Sequence, residues 1–496
     1  MSSSSSYTAS LSQDQARSLF DQNGFLLVKN LPRGSDFGAD GELWQVDRFS
    51  GVKFVPPGIH VFIFSEASST KDSEGLGLSI RHAVIKRFNH AEIVSVEWDT
   101  QSEGFVNQLY KNDNISKEYI KTLDSQLAPF SFQNYAVWKG LVDCIDDDCL
   151  ERVLQRQFNS AGSRTNVFMV DSTMMTVSDL DDIDQLGKKK KSKATTENSE
   201  HKDDERDTNT TSTKDNNKEE DVDLLEVTET LKKNQDSLLK FASFDIRRSW
   251  KPNAVGEELT RDFLDKTNLL KHVIKTQWNS DSHGILSEIQ LSFVLSTFVH
   301  NFSCLDIYKR LVSLLLQSRT LLKTTSTSPS TPSYILVVKF LSLIFPGQLQ
   351  AVRKNFFTED LPGLDTFLHD QFMILRKNLW ELKNEEEGEG MMSPEIWKEL
   401  KNAWDIARKV TNERFGWELP SLDLPLTSSR TTRSLISHPT EVPQHDDDSS
   451  TSSGTARLYY DMWRTNRGED DEYVEMGEDA PVIVIDPDTL DTLDSL

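Results

Sequence analysis

A rigid corner constrains this chain more than any other stretch. Gly51-Val52-Lys53-Phe54-Val55 and Ile59-His60-Val61-Phe62 flank Pro56-Pro57-Gly58. Each proline fixes φ and lacks an amide donor, and glycine reaches backbone angles that other residues avoid. The flanks are rich in Val, Ile and Phe, so both read as strands around a fixed turn. Further strand signals lie at 25–28, 78–80, 83–88 and 93–98, with turns at Pro32-Arg33-Gly34 and Asp40-Gly41. A short helix is expected over 14–20. A helical stretch is expected from about Phe105 to Leu127, broken by Pro129, with a new helix over 135–142 through Trp138.

The second half changes period. Leu269, Leu270, Val273 and Ile274 recur at helical spacing, and 285–298, 304–322, 334–345, 364–382 and 394–414 follow suit. Their Leu-rich stripes read as core. Between the halves, residues 179–222 carry hardly any apolar side chains and cannot offset their ordering entropy. The expected fold class is α+β: a mostly-β N-terminal domain, then an all-α helical domain, with disordered inserts and an extended tail. The boundaries read as 1–15 disordered, 16–178 β-rich, 179–222 charged linker, 223–420 helical, 421–477 disordered insert and 478–496 strand-forming tail.

Composition narrows the function. The formal net charge is −24, which disfavours binding to a phosphate backbone, so little direct nucleic-acid contact is expected. Three cysteines, Cys144, Cys149 and Cys304, give no disulfide framework and suit a reducing compartment. No apolar run reaches the roughly 18 residues of a membrane span, and the Ser-rich start lacks a signal-peptide pattern. The expected location is cytoplasm and nucleus.

Catalytic patterns are sought and not found. Asp171-Ser172-Thr173 lacks the glycine of an aspartic-protease loop, Cys144 and Cys149 lack a second pair of zinc ligands, and Gly75-Leu76-Gly77 is no phosphate loop. His60, alone in a strand region, reads as a satisfied structural side chain. No catalytic, cofactor-binding or metal-binding residues are assigned, and no small-molecule substrate is expected.

The order of several segments resembles one family. Gly24-Phe25-Leu26-Leu27-Val28, Leu31-Pro32-Arg33-Gly34-Ser35-Asp36-Phe37-Gly38 and the Pro-Pro-Gly corner are similar to the amino-terminal domain of the Aar-two family. Gly284-Ile285-Leu286-Ser287-Glu288-Ile289-Gln290-Leu291-Ser292-Phe293-Val294 resembles its helical Gly-x-x-x-Glu-x-Gln-x-x-Phe-Val segment. Phe415-Gly416-Trp417-Glu418 and Glu478-Asp479-Ala480-Pro481-Val482-Ile483-Val484-Ile485 resemble its aromatic close and its tail. The long polar inserts depart from the family. The resemblance implies a pre-mRNA splicing factor: a chaperone of U-five small nuclear ribonucleoprotein assembly. Its partner would be the Prp-eight scaffold, through its RNase H-like and Jab/MPN domains, with other U-five proteins, and it would keep the Brr-two helicase off that scaffold.

Three features suggest binding or control. Pro481, Val482, Ile483, Val484 and Ile485 form a β-branched run suited to adding a strand to a partner's sheet edge. Lys188, Lys189, Lys190, Lys191 and Lys193 read as a nuclear import signal or a solvated linker. Ser328 and Thr331 each precede a proline in a loop and are phosphorylation candidates. Two other readings stand beside the chaperone: a hydrolase whose site assembles only in space, and a general acidic adaptor.

Overall fold

The computed structural model describes residues 12–65, 80–106, 108–109, 115–154, 156–159, 164–183, 238–251, 253–323, 333–384 and 392–426. These fall into two compact units. The first runs through residue 244 and includes His283–Tyr308; the second holds Asp245–Ser282 and resumes at Lys309.

The first unit opens with helix α1 (Gln13–Gln22). Ser12 Oγ accepts from Gln15 N while Gln15 Oε1 accepts from Ser12 N, a reciprocal cap that satisfies two end donors. The strands follow as β1 (Gly24–Lys29), β2 (Asp36–Ala39), β3 (Glu42–Gln45), β4 (Gly51–Val55), β5 (Gly58–Ser65), β6 (His82–Phe88), β7 (Ile93–Asp99), β8 (Gly104–Phe105) and β9 (Gln108–Leu109). Helix α2 (Lys117–Thr122), β10 (Leu127–Pro129), α3 (Tyr135–Val142), α4 (Asp147–Val153), β11 (Arg156–Asn159) and β12 (Arg164–Asp171) complete this run. One sheet has the order β10-β4-β1-β7-β8 and the other β3-β2-β5-β6-β12-β11-β9.

The strands on either side of Pro56-Pro57 belong to different sheets, so the corner carries the chain from one sheet to the other. The end of β4 is bent for this. Gly24 pairs with Val55 but Phe25 with Lys53, leaving Phe54 as the extra residue of a bulge, at φ 68°. Gly51 passes so close to β1 that a Cβ there would lie 1.9 Å from the Leu26 carbonyl oxygen.

The two sheets share one core. Leu26, Val28, Val52, Val94, Val96 and Trp98 from the first meet Phe37, Phe62, Phe64, Val84 and Phe88 from the second. Alternate residues of β1, Phe25 and Leu27, point the other way and pack with Phe20 of α1 and Ile120 of α2. Burial on both faces explains the unbroken apolar run at 25–28, because no position from Gly24 to Val28 meets water.

The stretch 105–127 is not the single helix its composition suggests. Phe105 ends a short strand, only Lys117–Thr122 is α-helical, and Leu127–Pro129 joins β4 as a parallel edge strand. Pro129 therefore sits where a missing amide is tolerated, at a sheet edge.

The helices continue as α5 (Glu257–Leu264), α6 (Thr267–Gln277), α7 (Gly284–Phe298), α8 (Phe302–Leu316), α9 (Ile335–Lys339), a π-helical turn (Phe340–Ile344), α10 (Phe345–Ala351), α11 (Phe356–Glu359), α12 (Leu364–Asn384) and α13 (Pro394–Phe415). The β-rich half followed by a helical half is the expected class. The division into units differs from the composition boundaries, because α7 belongs with the sheets.

In the second unit α13 starts and stops on clear signals. Ser393 caps Ile396 N, Pro394 occupies the first turn, and Gly416 closes the helix in the left-handed region at φ 70°. Phe345, Phe372 and Trp404 pack as tilted rings in its core, with successive centroids 4.7 and 5.8 Å apart. Phe415 and Trp417, the aromatic close, both pack on Phe357, at 4.9 and 5.2 Å.

Candidate functional site

All three expected binding or control features lie outside the described residues: Pro481 to Ile485, Lys188 to Lys191 with Lys193, and Ser328 with Thr331. Gly75-Leu76-Gly77 lies outside them too. The groups that the structure does bring together begin at the corner.

The carbonyls of the corner are each captured. His60 Nε2 reaches Pro56 O at 2.8 Å, Tyr135 Oη donates to Pro57 O at 3.0 Å, and Trp138 Nε1 donates to Ile59 O at 2.8 Å. His60 is fully buried, and its Nδ1 lies 2.6 Å from Asp40 Oδ2. Val61 N donates to Asp40 Oδ1 at 3.0 Å. A carbonyl oxygen only accepts, so Nε2 carries a proton, and one further proton is shared between Nδ1 and Oδ2. Burial pushes the Asp40 carboxyl above its ordinary value, against the opposing pull of His60 and Val61. Both ring nitrogens are engaged in holding the corner, which makes His60 the satisfied structural residue its setting suggested.

The family-like helical segment also holds the fold. Helix α7 is buried continuously from Gly284 to Ser296, so its polar residues need partners. Gln290 Oε1 accepts from Cys144 N at 2.8 Å, and its Nε2 donates to Gly140 O at 3.0 Å and Asp143 Oδ1 at 2.6 Å. Ser287 Oγ donates to Cys144 O at 2.5 Å. Glu288 accepts from Ala242 N at 3.0 Å and pairs with Arg152 at 3.1 Å. The segment thus seats α7 on the turn after α3 and on α4.

Other polar groups close local structure. Asp171 Oδ1 accepts from Thr173 N and Thr173 Oγ1 at 2.8 and 2.6 Å, so the carboxylate folds its own turn. Asp262 is buried and accepts from Asn268 Nδ2 at 2.8 Å. Between β6, α4 and β12, a depression of about 110 Å³ is bridged by Arg87, 2.6 Å from Asp147 Oδ1.

A lysine–serine contact comes nearest to the hydrolase reading. Lys266 Nζ donates to Ser249 Oγ at 2.9 Å and to Phe263 O at 2.5 Å, and lies 4.6 Å from the Phe263 ring centroid. Burial lowers this amine to about 8, partly offset by Asp245 and Asp265. Ser249 Oγ spends its own proton on Asp262 O, 2.7 Å away, and both side chains are buried. The pair staples the 249–251 segment to α5. Cys149 and Cys304 form no disulfide, and burial pushes both thiols up. Among the described residues no group of His, Cys, Asp and Glu is arranged to hold a metal ion, and no helix is long and apolar enough to cross a membrane.

Among the described residues, β3 is the longest edge strand of the two sheets. Asp40 and Gly41 both have positive φ, 51° and 86°, and form the two-residue turn of the β2–β3 hairpin. Ala39–Glu42 closes it, so Ala39–Glu42 and Phe37–Trp44 are the pairs that exchange backbone bonds. Leu43 and Gln45 therefore turn their N–H and C=O groups away from β2, where no described residue meets them. Leu43 is also 50% exposed. The other three edges are shorter: β8 and β9 have two residues each, and β10 has three and ends in Pro129.

Two family descriptions match the chain. The AAR2 N-terminal domain matches residues 22–155, and the AAR2 C-terminal repeat region matches 241–420. The chain belongs to the AAR2 family. It is 35% identical to Protein AAR2 homolog of Caenorhabditis elegans over 138 residues, which is 27% of this chain and 36% of that protein. It is 21% identical to Protein AAR2 homolog of Homo sapiens over 362 residues, covering 72% and 83% of the two chains. The Pongo abelii homologue is 22% identical over the same length. AAR2 membership supports a splicing-related role. The two matched regions contain the corner, the α7 clamp and the aromatic close, so the resemblance noted in the sequence falls on residues that hold the fold.

Proposed function

We propose that this AAR2 protein is a non-enzymatic assembly chaperone of the U-five particle. It grips the Prp-eight scaffold at the RNase H-like and Jab/MPN domains and delays helicase binding. The observation that carries this reading is the family match in both halves of the chain. The chemistry of the described residues agrees with it. Asp40, His60, Glu288, Gln290 and Lys266, the groups that would attract an enzymatic reading, are buried in hydrogen bonds that hold backbone in place.

The tail Pro481 to Ile485 is the proposed grip. An extended β-branched run adds main-chain hydrogen bonds to a partner's sheet, and a second contact from the body gains from tethering. The test is capture of purified scaffold fragments by the full chain and by a chain ending at residue 477. Loss of at least ten-fold in affinity is expected, and equal affinity rejects the tail. Residues 188–193 are proposed to direct nuclear entry; a reporter fused to 185–195 that stays cytoplasmic rejects that role. Phosphate at Ser328 and Thr331 is proposed to loosen the complex. A paired Ser328→Glu and Thr331→Glu variant that binds scaffold unchanged rejects it.

A further inference from the structure

We propose that the α12–α13 face around Trp380, Trp397 and Lys383 docks an acidic, leucine-bearing peptide segment of a protein partner. All the residues concerned belong to the second unit.

The two helices lie side by side and run in opposite directions. Phe372 of α12 meets Trp404 of α13 at 5.8 Å, and Lys383 Nζ reaches across to the Trp397 ring at 4.7 Å. Lys383 also stands over Trp380 of its own helix, at 5.9 Å. Both indoles are half-buried and Lys383 is exposed. Tryptophans left at a surface in this way are frequent anchors of protein contacts.

The segment after α13 leads apolar side chains to the same place. Arg408 Nε donates to Leu419 O at 3.0 Å and Trp404 Nε1 to Pro420 O at 3.1 Å. Lys401 Nζ pairs with Asp423 at 2.7 Å, so the segment travels back along α13 toward Trp397, one turn beyond Lys401. Arg376 Nη2 donates to Leu424 O at 2.6 Å, one turn of α12 before Trp380. Leu419 and Leu422 are buried on the way, but Leu424 is 55% and Leu426 37% exposed. Apolar groups gathered beside two indoles and rimmed by charge form a docking surface.

Charge selects the occupant. Of the groups these contacts join, Arg376, Lys383 and Lys401 are cationic and Asp423 alone is acidic. Asp423 is already spent: the hydrogen bond from Lys401, aided by the charges of Lys401 and Lys383, holds its carboxyl below the ordinary value. Among the described residues neither Arg376 nor Lys383 has a carboxylate partner. Arg376 is 3% exposed and donates only to carbonyls, so its charge is uncompensated. A partner bringing carboxylates between leucines complements both the rings and the charge. Nucleic acid fits less well, because the chain carries −24 overall and only Lys383 of the two unpaired cations is accessible.

The test uses the full chain and a short fluorescein-labelled peptide of alternating glutamate and leucine, read by fluorescence anisotropy. Binding is expected, weakening as salt rises and lost when glutamine replaces the peptide's glutamates. Lys383→Glu, an exposed change that leaves the core alone, should weaken it roughly five-fold. Trp397→Ala should weaken it roughly ten-fold. Carbodiimide coupling should join Lys383 to a peptide glutamate. Absent binding, or binding that Lys383→Glu leaves unchanged, overturns the proposal. Coupling of Lys383 only to the chain's own glutamates at 385–389 overturns it as well. A uridine oligonucleotide that binds more tightly than the peptide, and loses affinity in Trp397→Ala, assigns the face to nucleic acid instead. Self-association in sedimentation that Lys383→Glu abolishes assigns it to a second copy and likewise overturns the proposal.

Discussion

Two buried titratable residues illustrate how far single side chains decide this fold. His60 holds Pro56 O and Asp40 together at the point where the chain changes sheets. His60→Ala removes the partner of a carboxyl that is only 7% exposed, and is expected to cost about 3–5 kcal/mol in urea unfolding. A loss below about 1 kcal/mol would mean that the corner holds without the pair. Lys266 sets a pH dependence. Its folded value of about 8 lies below the ordinary 10.5, so between those limits the unfolded chain binds more protons. Stability should therefore rise as pH goes from 8 to 10.5, by ~3 kcal/mol at most for such a shift. Below pH 8 the full cost of the buried charge remains. Lys266→Met should flatten that rise in denaturant midpoints measured at pH 7.5 and pH 10. A slope unchanged in the variant would assign the effect elsewhere. Neither residue's role was legible in the sequence beyond its type. A lone histidine in a strand reads as structural, which holds, but its partner Asp40 sits 20 positions away in a turn and only the hairpin brings it near.

Elements were legible where one periodicity dominated. β1, β4, β5, β6, β7 and α3 lie close to their expected spans, because each carries a dominant apolar signal that packing then uses. The stretch 105–127 misled for a physical reason. Short edge strands such as β8 and β10 bury one residue at most, so they leave no period, and their pairing decides their shape. β11 and β12 were likewise not anticipated, although β12 supplies Val167 to the shared core. Helix α7 gave a clearer signal than was taken from it. A helix apolar on all sides that still carries Ser287, Glu288 and Gln290 must find buried partners for them. Gln290→Ala should remove three bonds and leave the Cys144 amide unpaired, at an expected cost of about 2–4 kcal/mol. The check is native-state hydrogen exchange over 284–298. If those amides open no more readily in the variant, the clamp is not what seats the helix.

At the scale of the whole molecule, the first unit is discontinuous in sequence. Its sheets end by residue 171, yet α7 at 284–298 belongs to it, with 245–282 counted in the other unit. Composition alone could not reveal this, because a helix that completes a sheet unit has the same apolar pattern as one inside a bundle. A fragment of residues 1–183 should therefore melt without a sharp transition and bind a hydrophobic dye. The gap at Gly140, Cys144 and Arg152 would be unfilled. A cooperative melt for that fragment would show that α7 is dispensable. The arrangement also bears on synthesis. About 130 residues separate Val153 from Gly284, so at roughly 5–20 residues per second the nascent sheets wait some 7–25 s for the helix that finishes them. Throughout that interval the ribosome presents an incomplete domain to the cell, and any chaperone that guards newborn chains would find its target there.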